Sequence, residues 1–216
     1  MYRNLVCSGE MLRSSVFFDV VALPYELLTR QPVWEEHCAR MALELPQGAR
    51  HVVDVGCGAA SSTVQLPTGA IGGDAALAML RRARRRAPAL PLVALDASSL
   101  PFRSGSVDAV TFHSVLYLLP DRAAALREVH RVLRPGGRVV LLEPQEGLRA
   151  TILGMARALP TPRWALTAAL WRTMSGAYGR FSADTLWAAL EGAGLRVEKI
   201  EETLGGLGLL AVAEKP

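Results

Sequence analysis

The sequence predicts an α/β fold: a mostly parallel sheet with helices on both faces and an antiparallel last strand. Three observations carry this. From Val52 to Pro144, short and continuously apolar runs alternate with helical segments, as buried parallel strands and their right-handed crossovers do. Two further runs close the chain, LRVEKIEE and LGLLAVAEK, separated by Gly205-Gly206, which makes them a hairpin. The length, 216 residues, suits one such domain with a full core, so a single domain spanning 1–216 is expected.

In chain order, residues 1–46 show apolar positions at helical spacing, broken at Pro24 and Pro32. They read as a cap of two or three short helices with Phe17, Phe18, Val21, Tyr25, Leu28, Trp34 and Met41 on one side. His51–Val55 is a run rich in β-branched residues that enters the glycine turn Gly56-Cys57-Gly58. Next come the short segment SSTVQL, the strand GAIGGD, an arginine-rich helix that stops at Pro88, and the strand LPLVALD. VDAVTFHS, the helix RAAALREVHRVL and the strand GRVVLLEP complete the alternation. Residues 145–182 form an irregular apolar insertion, a helix follows over Ala183–Ala193, and the hairpin ends the chain.

The composition, 50% hydrophobic and 20% charged, is that of a folded globular chain. The net charge of +4 is carried mostly by arginine, and Arg81-Arg82-Ala83-Arg84-Arg85-Arg86 is the densest run. Such a run invites nucleic acid or an anionic membrane. It lacks interleaved aromatics for base stacking and ends a helical segment, where cations suit the macrodipole. We therefore expect a solvated helix face and no nucleic-acid partner. Cys7, Cys38 and Cys57 are odd in number and show neither disulfide nor zinc spacing, so no metal and a reducing cytoplasm are expected. The N-terminus shows no signal-peptide pattern, and no apolar stretch reaches the length of a membrane span.

In an open α/β sheet, ligands bind beyond the carboxyl ends of the strands. Asp54, Asp74 and Asp96 all fall at such ends, and Asp74 lies 20 residues beyond Asp54, the distance of one crossover. A carboxylate there accepts both hydroxyls of a ribose, although any one of the three also fits a helix N-cap. The glycine turn decides between cofactors. A dinucleotide site wants G-x-G-x-x-G, and Ser61 stands where the third glycine belongs. Asp54 also brings negative charge to the turn, which favours a nucleoside ligand that carries positive charge, such as S-adenosylmethionine.

DVGCG (54–58), GGDAALAML (72–80), DASSLPFRSGSVDAV (96–110) and EVHRVLRPGGRVVLLEP (128–144) stand in the order found in the class I S-adenosylmethionine-dependent methyltransferases. The chain resembles that family, and within it the ubiquinone and menaquinone biosynthesis and small-lipid branch. The resemblance implies a Rossmann-like, seven-stranded sheet and S-adenosyl-L-methionine as cofactor. It further implies that Asp54, Gly56, Cys57 and Gly58 frame the methionine part, with Cys57 presenting its backbone. Asp74 and Ala75 would take the ribose, Met79, Asp96 and Ala97 the adenine, and His113 the methionyl or sulfonium end. The chain departs from the pattern at Ala60 and in the short segment between Gly58 and Asp74, which implies a stunted first crossover helix.

Methyl transfer from a sulfonium is an in-line displacement, so the protein mainly aligns donor and acceptor. Only an acceptor that must lose a proton needs a base, and His113 is the best-placed candidate catalytic residue, ahead of His37 and Tyr117. His130 faces away from the strand ends and is structural. The acceptor pocket is expected from Tyr25, Tyr117, Trp171 and Tyr178. In the 145–182 insertion, Trp164, Ala168, Trp171 and Met174 share a helix side, with Arg163 and Arg172 at its ends and Arg180 beyond. It reads equally as a lid over an apolar small molecule, a peripheral membrane contact through 150–180, or ordinary packing in a monomer or homodimer. Two other readings stay open, an NAD(P)-dependent oxidoreductase and a non-catalytic protein that binds a nucleoside cofactor.

Overall fold

The structure, a computed structural model, describes residues 31–216. Cys7, Phe17, Phe18, Val21, Tyr25 and Leu28 lie outside the described residues. Seven strands form one sheet in the order β3-β2-β1-β4-β5-β7-β6: β1 (Val52–Val55), β2 (Ile71–Asp74), β3 (Leu92–Ala94), β4 (Val107–His113), β5 (Leu133–Pro144), β6 (Arg196–Thr203) and β7 (Gly208–Glu214). The first five run parallel, while β7 lies antiparallel to both β5 and β6, as the hairpin reading required. The order reverses between β1 and β4, which sets the ligand crevice at their carboxyl ends.

Strand alternation sorts side chains into two cores. Val53, Val55, Val110, Phe112, Val139 and Leu141 face one side, against α3 (Arg122–Val132) and α6 (Ala183–Gly192). Their neighbours Val52, Ala109, Val140 and Leu142 face the other, against α1 (Pro32–Leu43), α4 (Leu148–Ala158) and α5 (Pro162–Tyr178). Period-two placement of apolar residues on both faces is what a sheet covered by helices on both sides demands. Full burial of each such Val, Leu or Phe contributes about 1.5–3 kcal/mol.

The helix ends follow local chemistry. Pro32 sits at the first turn of α1, where its missing N–H costs nothing. Asp121 caps α3 by accepting the Ala124 N–H, and Ser182 and Thr185 form a capping box on α6. In α2 (Leu77–Arg86), Met79 and Ala83 are buried and the arginines lie mainly on the solvent side. Arg84 Nη1 donates to the Pro88 and Leu90 carbonyls past the helix end. Between β1 and β2 stands only a single 3-10 turn, Thr63–Gln65. Pro67 and Gly69 follow it closely, so no α-helix forms there, where the short spacing implied a stunted one. Among the described residues, no helix is long and apolar enough to cross a membrane.

Candidate functional site

The turn after β1 is built on backbone that glycine permits. Gly56 has φ 73° and a Cβ there would meet Val115 Cγ2 at 2.4 Å, so the turn lies directly on the segment that follows β4. Gly58 has φ 53°, yet among the described residues a Cβ there would meet nothing within 4 Å. The chain thus leaves an open cradle beside Gly58. Ala60 holds φ 64°, unusual for a residue with a side chain, at the position where the family pattern often has glycine. Cys57 is buried, its Sγ against Gly72, and burial together with Asp74 and Asp54 raises its thiol above the ordinary range. It presents backbone, not a reactive thiolate.

Asp54 lies beneath this turn with no exposure. Its carboxylate accepts from Ser62 Oγ (2.8 Å), Thr63 Oγ1 (2.6 Å) and Thr111 Oγ1 (2.8 Å). Burial raises its pKa and the three hydroxyls oppose that rise. Asp54 therefore shapes the turn by tying it to β4. Asp74 is half-buried and differs: Oδ2 accepts the Gly58 N–H and Oδ1 the Ala76 N–H, both at 2.8 Å. That links the ends of β1 and β2, and a carboxylate oxygen that accepts one amide retains capacity for a hydroxyl. Asp96, also half-buried, accepts both the Ser98 N–H and Ser98 Oγ–H at Oδ1. Met79 and Ala97 are buried and Ala75 is exposed.

On the other side of the crevice, His113 ends β4. It shares a 3.1 Å hydrogen bond with Cys38 Sγ and meets the Trp34 ring edge-on at 4.8 Å. Burial, assisted by His37, lowers its pKa to about 3. It is a neutral imidazole at physiological pH, suited to holding a hydrogen bond and weak as a base. His37 itself is hydrogen-bonded to Thr203 Oγ1, and His130 packs beside Gly194, far from the crevice. Trp34, Gly56, Cys57, Gly58, Ala59, Ser61, Ser62 and His113 line a small cleft of about 30 Å³.

Trp171 and Trp164 of α5 both pack on Trp34, at 5.7 and 6.3 Å, and Trp171 Nε1 donates to Ser114 Oγ at 2.7 Å. Met174 is only partly buried, beside the buried positions of that helix side. Tyr117 is buried and meets the exposed Tyr178 edge-on at 6.5 Å. Arg172 lies buried, donating to the Gln145 carbonyl and to Thr151 Oγ1 of α4, while Arg180 donates to Ser175 Oγ. Ser114 has φ 63°, and the next three backbone N–H groups, of Val115, Leu116 and Tyr117, all donate to Glu143 at the end of β5. Glu143 is a fourth acidic residue at a strand end, after Asp54, Asp74 and Asp96. Its position was the available signal. Burial raises its pKa to about 7 against the pull of those three amides. Among the described residues, no group of three or more His, Cys, Asp or Glu is placed to hold a metal.

Residues 53–141, from β1 into β5, match the methyltransferase domain family. A demethylmenaquinone methyltransferase of Mycolicibacterium gilvum is 38% identical over 157 residues, 66% of this chain and 67% of that protein. The chain belongs to the S-adenosylmethionine-dependent methyltransferases. A second demethylmenaquinone methyltransferase, from Streptomyces avermitilis, is 38% identical over 137 residues; the match spans 58% of each chain. A solved S-adenosylmethionine-dependent methyltransferase from Thermotoga maritima shares the fold, with TM-score 0.68 at 17% identity over 93% of this chain and 99% of that one. The four motifs thus identified the family, and the sheet order agrees with it.

Proposed function

We propose that the chain transfers a methyl group from S-adenosyl-L-methionine to a small, flat, apolar acceptor of the demethylated quinol type. The cofactor supplies a methyl on a sulfonium, which needs no further activation. The residues present fit it: the cradle at Gly58 admits close approach, and Asp74 places a carboxylate, the group that recognises ribose hydroxyls, at the strand end beside it. Asp54, Gly56, Cys57 and Gly58 would frame its methionine end, Asp74 and Ala75 the ribose, and Met79, Asp96 and Ala97 the adenine.

The observation that carries the acceptor reading is the aromatic wall opposite the glycine turn, where Trp34, His113 and Trp171 meet. Flat, apolar side chains with few charges favour a flat, apolar ligand. The demethylmenaquinone methyltransferases among the relatives support the same class. Tyr117 and Tyr178 would stand on the acceptor side, and His113, neutral and hydrogen-bonded, would position a ligand by its ring. The acceptor proton leaves to solvent as the methyl bond forms.

The test offers the full chain methyl-labelled cofactor with a reduced short-chain demethylnaphthoquinone, a catechol and a primary amine. Mass spectrometry should find the quinol one methyl group heavier and the amine unchanged. Methylation of the amine alone would overturn the acceptor class. Calorimetric binding of NADH with none of S-adenosylhomocysteine would overturn the whole reading in favour of an oxidoreductase.

A further inference from the structure

Helix α5 has two faces of opposite use. Trp164, Thr167, Ala168, Trp171 and Ser175 bury against the site and the sheet. The outward face carries Leu166, 55% exposed, and Leu170, 42% exposed. On α4, Leu148, Ile152 and Leu153 are likewise exposed, and Leu159 follows in the turn between the two helices. Gly154 and Ala158 turn inward instead, and Gly154 lets α4 sit close on Leu207 of the β6–β7 connection. Six large aliphatic side chains in one helical hairpin exceed the scattered exposure of ordinary surfaces.

The hairpin's own charges have one sign. Between Gly147 and Ala183 the chain carries five arginines, at 149, 157, 163, 172 and 180, and no Asp, Glu or Lys. Arg149 and Arg163 are on the surface, Arg157 is exposed with its Nη1 donating to the Gly205 carbonyl, and Arg172 is buried. A helical hairpin that is apolar outward and supplies only cations of its own, with Glu146 and Glu202 at its base beside the β6–β7 connection, complements the interface of an anionic bilayer. Protein partners of the same face would need a matching apolar patch and would not require the missing acids.

We propose that the outward face of the α4–α5 hairpin rests on an anionic lipid bilayer, so that the acceptor enters from the membrane beside α5. The entry route rests on the reading that the acceptor is lipid-soluble. The docking itself is a property of the surface. Trp171, on the opposite face of the same helix, reaches Ser114 at the end of β4, so the membrane-facing and site-facing surfaces are one helix diameter apart.

Sedimentation of the full chain with vesicles of phosphatidylcholine, alone or mixed with phosphatidylglycerol, tests this. Binding should appear on the mixed vesicles, fall steeply as salt is raised, and weaken about tenfold or more in Leu166→Glu/Leu170→Glu. Ile152→Glu on α4 supplies a second variant, and thermal melting of each confirms that the fold is kept. Three results would overturn the proposal: no binding to anionic vesicles, equal binding by the folded variants, or light scattering showing a dimer that these same substitutions dissociate. Turnover of a water-soluble short-chain quinol without vesicles isolates the enzymatic reading. Its failure would strike that reading, while vesicle binding judges the docking.

Discussion

Asp54 and Asp74 lie 20 residues apart at adjacent strand ends, and the structure gives them different work. Asp74→Ala removes a carboxylate whose oxygens accept the Gly58 and Ala76 amides and, in the proposed complex, two ribose hydroxyls. Charge-assisted bonds to two hydroxyls make the loss about 2–4 kcal/mol of cofactor binding, or roughly 30-fold to 1,000-fold in Kd. Asp54→Asn acts elsewhere. Its carboxylate is buried and takes three hydroxyl bonds, so the amide turns at least one donor toward a donor and costs about 1–3 kcal/mol of stability. Calorimetric titration with S-adenosylhomocysteine, paired with thermal unfolding, separates the two. Asp74→Ala should lose affinity far beyond its loss of stability, and Asp54→Asn should do the reverse. Unchanged affinity in Asp74→Ala would refute the ribose assignment, as would affinity losses that merely follow the loss of stability in both variants.

Gly56→Ala should prevent stable folding, because the new Cβ overlaps Val115 at 2.4 Å in a left-handed backbone; soluble yield and melting report this. Gly58→Ala meets open space, so it should cost only about 1–2 kcal/mol of stability while its methyl weakens cofactor binding tenfold or more, read by melting and titration. The pH dependence of stability should carry two opposed limbs. His113, depressed to about 3, contributes stability that is full above 6.5 and lost as pH falls through about 3. Glu143, raised to about 7, contributes stability that is full below 4.5 and lost as pH rises through about 7. Between 4.5 and 6.5 the slopes, each up to about 1.4 kcal/mol per pH unit, oppose one another. Denaturant titration of Glu143→Gln should therefore show stability rising more steeply with pH across that window than in the unaltered chain. Trp171→Phe removes the bond to Ser114 and should cost about 1 kcal/mol in denaturant titration while raising KM for the acceptor more than it lowers kcat.

Much of the fold was legible because its signals are local. Continuous apolar runs of strand length, helical periodicity over RAAALREVHRVL and Ala183–Ala193, and Gly205-Gly206 between two apolar runs each place an element without reference to distant chain. The short spacing from Gly58 to Asp74 likewise announced a stunted crossover helix, and a single 3-10 turn stands there. The acidic residues at strand ends and the glycine turn marked the cofactor side for the same reason, since backbone geometry and crossover length are written in consecutive residues.

What only the tertiary structure decided concerns burial and partners brought from far along the chain. His113 has the residue type and position of a base, and it took Cys38 and Trp34, packed across from α1, to make it a neutral, hydrogen-bonded imidazole. Asp54 brings negative charge to the turn by its place in the sequence, and only the folded chain shows that Ser62, Thr63 and Thr111 hold its oxygens. Glu143 stands in the 128–144 motif with no role that its neighbours announce, yet it holds the turn after β4 through three amides. The sequence by itself determined the order of strands and helices and the family, because periodicity, turns and motif spacing are properties of neighbouring residues. Which charged groups stay open to a ligand is set by desolvation and hydrogen bonding across strands and layers, and those exist only once the chain has folded.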